Sequence, residues 1–153
     1  MSCVAAIDPG TKGGIAVLSD DGFVLMARAF YPEMPAKELG AWISEALEYK
    51  PRGVFLEKVG HKRGDGARGS FTFGGAYRLV EGILLGHGVK PRYVPPAFWQ
   101  ARLECLSGGN KTVTLKRAKF LFGNQVGGSL DFTINHGTAD ALLIAEYGRR
   151  CLA

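Results

Sequence analysis

Apolar residues fall along this chain in short unbroken runs and in helical stripes, and their order predicts a sheet covered by helices. Residues 3–8 and 14–19 are apolar almost throughout, as strands buried on both faces are. Residues 23–30 continue the pattern after Asp20, Asp21 and Gly22, a turn of the kind hairpins prefer. These three segments predict an antiparallel meander. Beyond Pro32 and Pro35, Leu39, Trp42, Ile43, Ala46 and Leu47 recur at helical spacing until Lys50-Pro51-Arg52-Gly53 ends the helix. Residues 54–57 then form a strand parallel to the first, because a helical crossover has intervened.

Residues 60–69 read as a Gly-rich connection, followed by a helix over 76–87 with Leu79, Val80, Ile83 and Leu84 as its stripe and Gly88 as its cap. A fifth strand over 91–94 ends at Pro95-Pro96. A helix carrying Ala97, Phe98, Trp99 and Leu103 comes next, then a break at Ser107-Gly108-Gly109-Asn110, then helices over 112–122 and about 135–151. Three strands, a helix, a strand, a helix, a strand and further helices are the order of the ribonuclease H arrangement. The expected class is α/β, a five-stranded mixed sheet with helices on both faces.

At 153 residues with no repeat, low-complexity tract or Pro/Ser-rich linker, the chain reads as one domain able to bury a core without staples. The hydrophobic fraction of 46% and charged fraction of 22% are those of an ordinary globular protein. No apolar stretch approaches the ~18 residues of a membrane span. Asp8 interrupts the first apolar run too early for a signal peptide, so the expected location is cytoplasmic, in a bacterial cell or in the host of a phage. Cys3, Cys105 and Cys151 are odd in number and lack metal-binding spacing, which reads as reduced, buried fillers. A net charge of +5 favours an anionic partner, nucleic acid being the commonest.

Three acids stand out against this background. Asp8 ends the first apolar run and is followed by Pro9, Gly10, Thr11, Lys12, Gly13 and Gly14, Glu57 closes the parallel strand, and Asp140 lies in the first turns of the last helix. Acids inside apolar elements are rarely buried without a partner, and converging carboxylates are most readily partnered by a divalent cation. Neighbouring parallel strands put Asp8 and Glu57 together on the carboxyl edge, where open α/β sheets place their ligands. His136 and Asp140, four apart, share a helix face.

The segments Ile7-Asp8-Pro9-Gly10, Leu56-Glu57-Lys58-Val59 and 135–145, the last reading Asn-His-Gly-Thr-Ala-Asp-Ala-Leu-Leu-Ile-Ala, resemble the three acidic motifs of RuvC-type Holliday junction resolvases, particularly the compact bacteriophage-like branch. The resemblance extends over nearly the whole chain. It implies a metal-dependent endodeoxyribonuclease that nicks four-way DNA junctions. Asp8, Glu57, His136 and Asp140 would be its ligands, holding two Mg²⁺ ions, or Mn²⁺ in their place. The family more often has an acid where this chain has His136, so a histidine there would tune the second site with one negative charge fewer. The resemblance also implies a lysine near the scissile phosphate. Lys111, which opens a helix after the Gly-Gly-Asn break, takes that part, with Lys116 as its competitor.

His61, Lys62, Arg63 and Arg68 lie among glycines with only Asp65 opposed, and Phe71 and Phe73 follow. Basic residues beside aromatics suit the grip of unpaired or distorted nucleic acid, and such phosphate contacts position a substrate without reading its sequence. In the family an apolar residue after the Glu motif wedges into the junction. Phe71 or Phe73 suits that part, and core packing accounts for either equally well.

Two other functions fit parts of this pattern. An actin-like ATPase also begins Asp-x-Gly-Thr, but it needs two lobes closing on the nucleotide, more than this length supplies; no nucleotide cofactor is expected. An inactive structure-specific DNA-binding protein would keep fold and charge, yet three acids facing phosphate repel it unless metals intervene. Paired nicks in a two-fold symmetric junction require two active sites so related. The expected assembly is a C2 homodimer with helix 76–87 as its interface.

Overall fold

The computed structural model describes residues 1–60, 64 and 66–153. Its elements are β1 (Cys3–Asp8), β2 (Gly14–Ser19), β3 (Val24–Ala29), α1 (Ala36–Glu48), β4 (Val54–Glu57), α2 (Ala67–Gly86), β5 (Arg92–Val94), α3 (Pro96–Arg102), α4 (Lys111–Phe122) and α5 (His136–Leu152), with a single 3₁₀ turn at Gly123–Gln125. Among the described residues the strands form a five-stranded sheet in the order β3-β2-β1-β4-β5. β1–β2 and β2–β3 pair antiparallel, while β1–β4 and β4–β5 pair parallel. This is the mixed sheet expected from the order of the apolar runs.

Every residue of β1, β2 and β4 is buried, which accounts for their unbroken apolar character. Alternate side chains feed two cores. Val4, Ala6, Ala16 and Leu18 pack with Trp99 of α3, Ala118 and Phe122 of α4 and the inner face of α5. Cys3, Ala5, Ile7, Ile15 and Val17 pack on the other side with Leu39 and Ile43 of α1 and Val80 and Leu84 of α2. Cys3 and Cys105 are buried as expected, but Cys151, in the last turn of α5, is exposed. Among the described residues no helix is long and apolar enough to cross a membrane.

α5 lies across β1 and β2, and its start is brought down onto the β1–β2 hairpin by two glycines. A Cβ on Gly14 would stand 2.5 Å from the Gly137 carbonyl oxygen, and one on Gly137 would stand 2.6 Å from that of Gly13. Neither position has room for a side chain. Asn135 caps the helix, accepting from the Gly137 and Thr138 amides, while the Thr138 hydroxyl accepts from the Asn135 amide to complete a capping box.

One element departs from the sequence pattern. α2 begins at Ala67 rather than near residue 76, so Arg68, Phe71 and Phe73 are helical and not part of a loop. Gly69, Gly74 and Gly75 each disfavour helix by about 1 kcal/mol relative to alanine, which hides this half from propensity. The buried Val80 and Leu84 further along anchor the helix, and its first half runs out beyond the sheet with Phe71 exposed.

Candidate active site

Strand register brings the first two acids together. Ile7 pairs with Leu56 across the parallel β1–β4 ladder, so the next residues, Asp8 and Glu57, leave the sheet side by side at its carboxyl edge. Asp140, one helical turn into α5, is delivered to the same edge by the close seating of Gly137 on the hairpin. All three carboxyl groups are buried. The Gly10 amide donates to Asp8 Oδ1 at 3.2 Å.

Lys111, the first residue of α4, reaches this group from Asn110, whose side chain caps the helix by accepting from the Thr112 amide. Its Nζ donates to Asp140 Oδ2 at 3.2 Å. Burial works to lower the Lys111 pKa, but the charges of Asp140 and Asp8, the hydrogen bond to Asp140 and the charge of Glu57 together raise it. The ammonium therefore supplies positive charge to all three acids. Two cavities meet here, both lined by Glu57, Val59 and Lys111. One of about 420 Å³ continues past Asp140, Thr114 and Gln100, and one of about 180 Å³ past Asp8, Gly10, Lys12 and Phe73.

Glu57 is the most perturbed member. Burial raises its pKa first, the Asp8 charge next and Asp140 further, against a hydrogen bond from Trp99 and the charge of Lys111, with the result near 8. Trp99 Nε1 donates to Glu57 Oε2 at 2.8 Å from a fully buried indole. The sequence places Trp99 in an apolar stripe and assigns it no part in the site. Its signal was the indole N–H, which when buried usually finds an acceptor.

Among the described residues no three of His, Cys, Asp or Glu stand close enough to form a ready-made ion site. The chemistry of the acids nevertheless suits a hard cation. Asp140 Oδ1 is buried with no hydrogen-bond partner, a costly state for a carboxylate oxygen, and Glu57 is raised by two like charges. Oxygen ligands of this kind suit Mg²⁺ or Mn²⁺.

The structure thus gathers Asp8, Glu57, Asp140 and Lys111. It leaves His136 exposed in the first position of α5, one turn before Asp140 and lining neither cavity. Lys116 is exposed and also lines neither; five residues after Lys111, it lies on another face of α4. Arg68 and Phe71 lie exposed in the first turns of α2, whereas Phe73 turns back to line the Asp8 cavity. His61, Lys62 and Arg63 lie outside the described residues.

Neither the comparison with family models nor that with curated proteins gives a match. Solved structures do match. RuvC of T. thermophilus in complex with a Holliday junction substrate superimposes with a TM-score of 0.66 at 24% identity, over 95% of this chain and 90% of that one. A second Thermus thermophilus RuvC structure gives 0.65 at 23% identity, over 97% and 96%. The Fowlpox virus resolvase in complex with its substrate Holliday junction DNA gives 0.54 at 15% identity, over 97% and 99%. The chain, with its mixed five-stranded sheet and α5 laid across it, has the ribonuclease H-like fold of RuvC and the poxvirus resolvase.

Proposed function

We propose that this chain is a RuvC-type Holliday junction resolvase, a metal-dependent endodeoxyribonuclease that nicks four-way DNA junctions as a homodimer of single-domain subunits. The observation that carries this reading is the meeting of three buried acids, Asp8, Glu57 and Asp140, with Lys111 at one sheet edge. The shared fold supports it, since two of the matching structures hold Holliday junction DNA.

Asp8, Glu57 and Asp140 would hold the divalent cations, with the unpartnered Asp140 Oδ1 as a ready ligand, and His136, exposed one turn before Asp140, would tune the second position by turning toward the acids. The chemistry such ions would supply is activation of a water and stabilisation of charge in a phosphodiester displacement. The protein's own groups supply the rest. Lys111, bonded to Asp140 Oδ2 at this edge, would bring its ammonium to where charge grows on the phosphoryl oxygens. Trp99 fixes one oxygen of Glu57, leaving the other to face the cavities. Asp8 is oriented by the Gly10 amide.

Arg68 would grip phosphates, as would His61, Lys62 and Arg63 of the basic segment that precedes it in sequence. Phe71, 85% exposed near the start of α2, is better placed than Phe73 to enter the junction. Further along α2, Gly75, Leu79, Gly82, Leu85 and Gly86 lie exposed on one side, and an added Cβ would meet nothing at the glycines. Such a face suits a second copy of the helix about a two-fold axis. The DNA substrate puts the reaction in the cytoplasm of a bacterium or of a phage host.

The test is cleavage of a labelled four-way junction against a matching linear duplex, with Mg²⁺ or chelator, by wild type and Asp8→Asn. Wild type should nick the junction only with Mg²⁺, and Asp8→Asn should bind without nicking. Equal cleavage of the duplex, or nicking by Asp8→Asn, would sink the reading.

A further inference from the structure

A further cavity lies at the opposite end of the parallel strands. Ten residues line it, Lys50, Arg52, Val54, His87, Lys90 and Arg92 among them, and its volume is about 460 Å³. β4 runs from Val54 in this cleft to Glu57 among the acids, three residues or about 10 Å along the strand. β5 repeats the relation, with Arg92 at the cleft and Val94 paired to Glu57. The two sites are separate features of the same strands.

Its charge is one-sided. Four of the ten lining residues are Lys or Arg and none is acidic. Arg52 is committed, bound to Asp20 Oδ1 at 3.0 Å and to the Leu152 carbonyl. Arg92 rests over the Phe55 ring at 5.9 Å. His87 is satisfied on both nitrogens, by Ser44 Oγ and the Ile83 carbonyl. Among the described residues Lys50, Lys90 and Arg92 have no carboxylate within ion-pair distance, and all three are exposed.

Lys50 carries a further signal. It follows the C-cap of α1 with φ 53°, in the left-handed region. That position after a helix is usually glycine, and a residue with a Cβ there costs roughly 1–2 kcal/mol. A lysine held in a glycine's conformation beside two unpaired cations suggests that its side chain has a use.

We propose that this cleft is a second, sequence-independent binding site for nucleic-acid phosphates, made by Lys50, Lys90 and Arg92. The inference rests on the resolvase reading and extends its substrate contacts to the far end of the sheet. A strand held at the acids carries a phosphate about every 3.4 Å, so phosphates a few nucleotides away come within reach of the cleft. The acid edge is the part of the surface that repels DNA, so attraction must be supplied elsewhere. Lysine ammonium groups on flexible stems contact phosphate as point charges, positioning the strand without reading bases.

The experiment measures binding of the full chain to a four-way junction and to a linear duplex in EDTA over a range of salt. It compares wild type, Lys50→Gly, and the double variant Lys50→Glu/Lys90→Glu. The double variant should bind both DNAs about tenfold more weakly, with a salt slope reduced by about two. Lys50→Gly should bind more weakly while its thermal midpoint is equal or higher, because glycine relaxes the left-handed backbone; a folding defect cannot produce that pair. Ethylation interference identifies the source of the phosphates. Sites a few nucleotides from the nick, lost in the double variant, indicate the same junction, and a uniform loss of duplex binding indicates a second DNA. Unchanged affinity and slope in the double variant would overturn the proposal. Loss of junction preference by wild type, with the double variant still weakened on duplex, would instead overturn the resolvase reading and leave the cleft standing.

Discussion

Trp99 Nε1 donates a 2.8 Å hydrogen bond to Glu57 Oε2, and the pair is buried where α3 passes behind the acid edge. The bond favours the carboxylate and opposes the rise of the Glu57 pKa caused by burial and by Asp8. Trp99→Phe keeps most of the packing and removes the donor, so the pKa should climb beyond about 8. A rise of one unit cuts the ionised fraction about tenfold wherever the group is mostly protonated. The apparent Mg²⁺ affinity of Trp99→Phe, read from cleavage at subsaturating Mg²⁺, should therefore fall about tenfold near neutral pH and recover toward wild type as pH rises. A merely structural role predicts a ratio of rates that does not change with pH.

Glu57 also ties stability to pH. Its folded pKa of about 8 lies above the ordinary 4.5, so between these values the folded state holds a proton that the unfolded state has lost. Stability from this group is full below pH 4.5 and falls as pH rises to about 8, where the loss is complete. Glu57→Gln removes the titration. Its stability should match wild type near pH 4.5 and exceed it increasingly toward pH 8, by a few kcal/mol, with the thermal midpoint following. Mg²⁺ or Mn²⁺ should raise the wild-type midpoint at pH 8 and narrow that gap, and a chelator should restore it. A gap independent of pH would show that the carboxyl is not perturbed in the fold.

Much of this site is legible in the sequence for one physical reason. Asp8 and Glu57 terminate fully buried strands, so the end of each apolar run marks where the side chain emerges, and strand order then makes the two neighbours. Asp140 follows from helical periodicity. Trp99 was hidden because its partner lies 42 residues away and a hydrogen bond across that separation has no local pattern. The first half of α2 was hidden for the opposite reason. Gly69, Gly74 and Gly75 carry a strong local signal for irregular chain, and the packing of Val80 and Leu84 overrides it. The choice between Lys111 and Lys116 was open because composition does not say which face of α4 meets the acids.

The two lysines are separable by experiment. Lys111 Nζ bonds Asp140 and feels Asp8 and Glu57, while Lys116 lines neither cavity of the site. Lys111→Met should lower the single-turnover cleavage rate by roughly 10²-fold, the scale of losing one positioned charge at a developing oxyanion. Junction binding should change little. Lys116→Met should leave the rate near wild type and at most reduce the salt dependence of binding by about one. Equal losses in both variants would mean that a diffuse basic face, not a positioned ammonium, assists the reaction.

The seat of α5 on the β1–β2 hairpin sets whether Asp140 reaches the other acids at all. An added Cβ at Gly137 would stand 2.6 Å from the Gly13 carbonyl oxygen and 2.8 Å from the Ala29 side chain. Backbone oxygen cannot swing aside as the end of a long side chain does, so the helix start must lift. Gly137→Ala should lower stability by about 1–3 kcal/mol, the range for overpacking a filled interior. The displacement falls on the turn that carries Asp140, so cleavage should drop further than the unfolded fraction explains. Gly74→Ala is the matched control, since nothing lies within 4 Å of a Cβ there and the change adds a better helix former to α2. It should be neutral or stabilising. If Gly137→Ala unfolds no more readily than wild type and cleaves as fast, the close seating is not what delivers Asp140, and α4 with Lys111 becomes the element that holds the acids together.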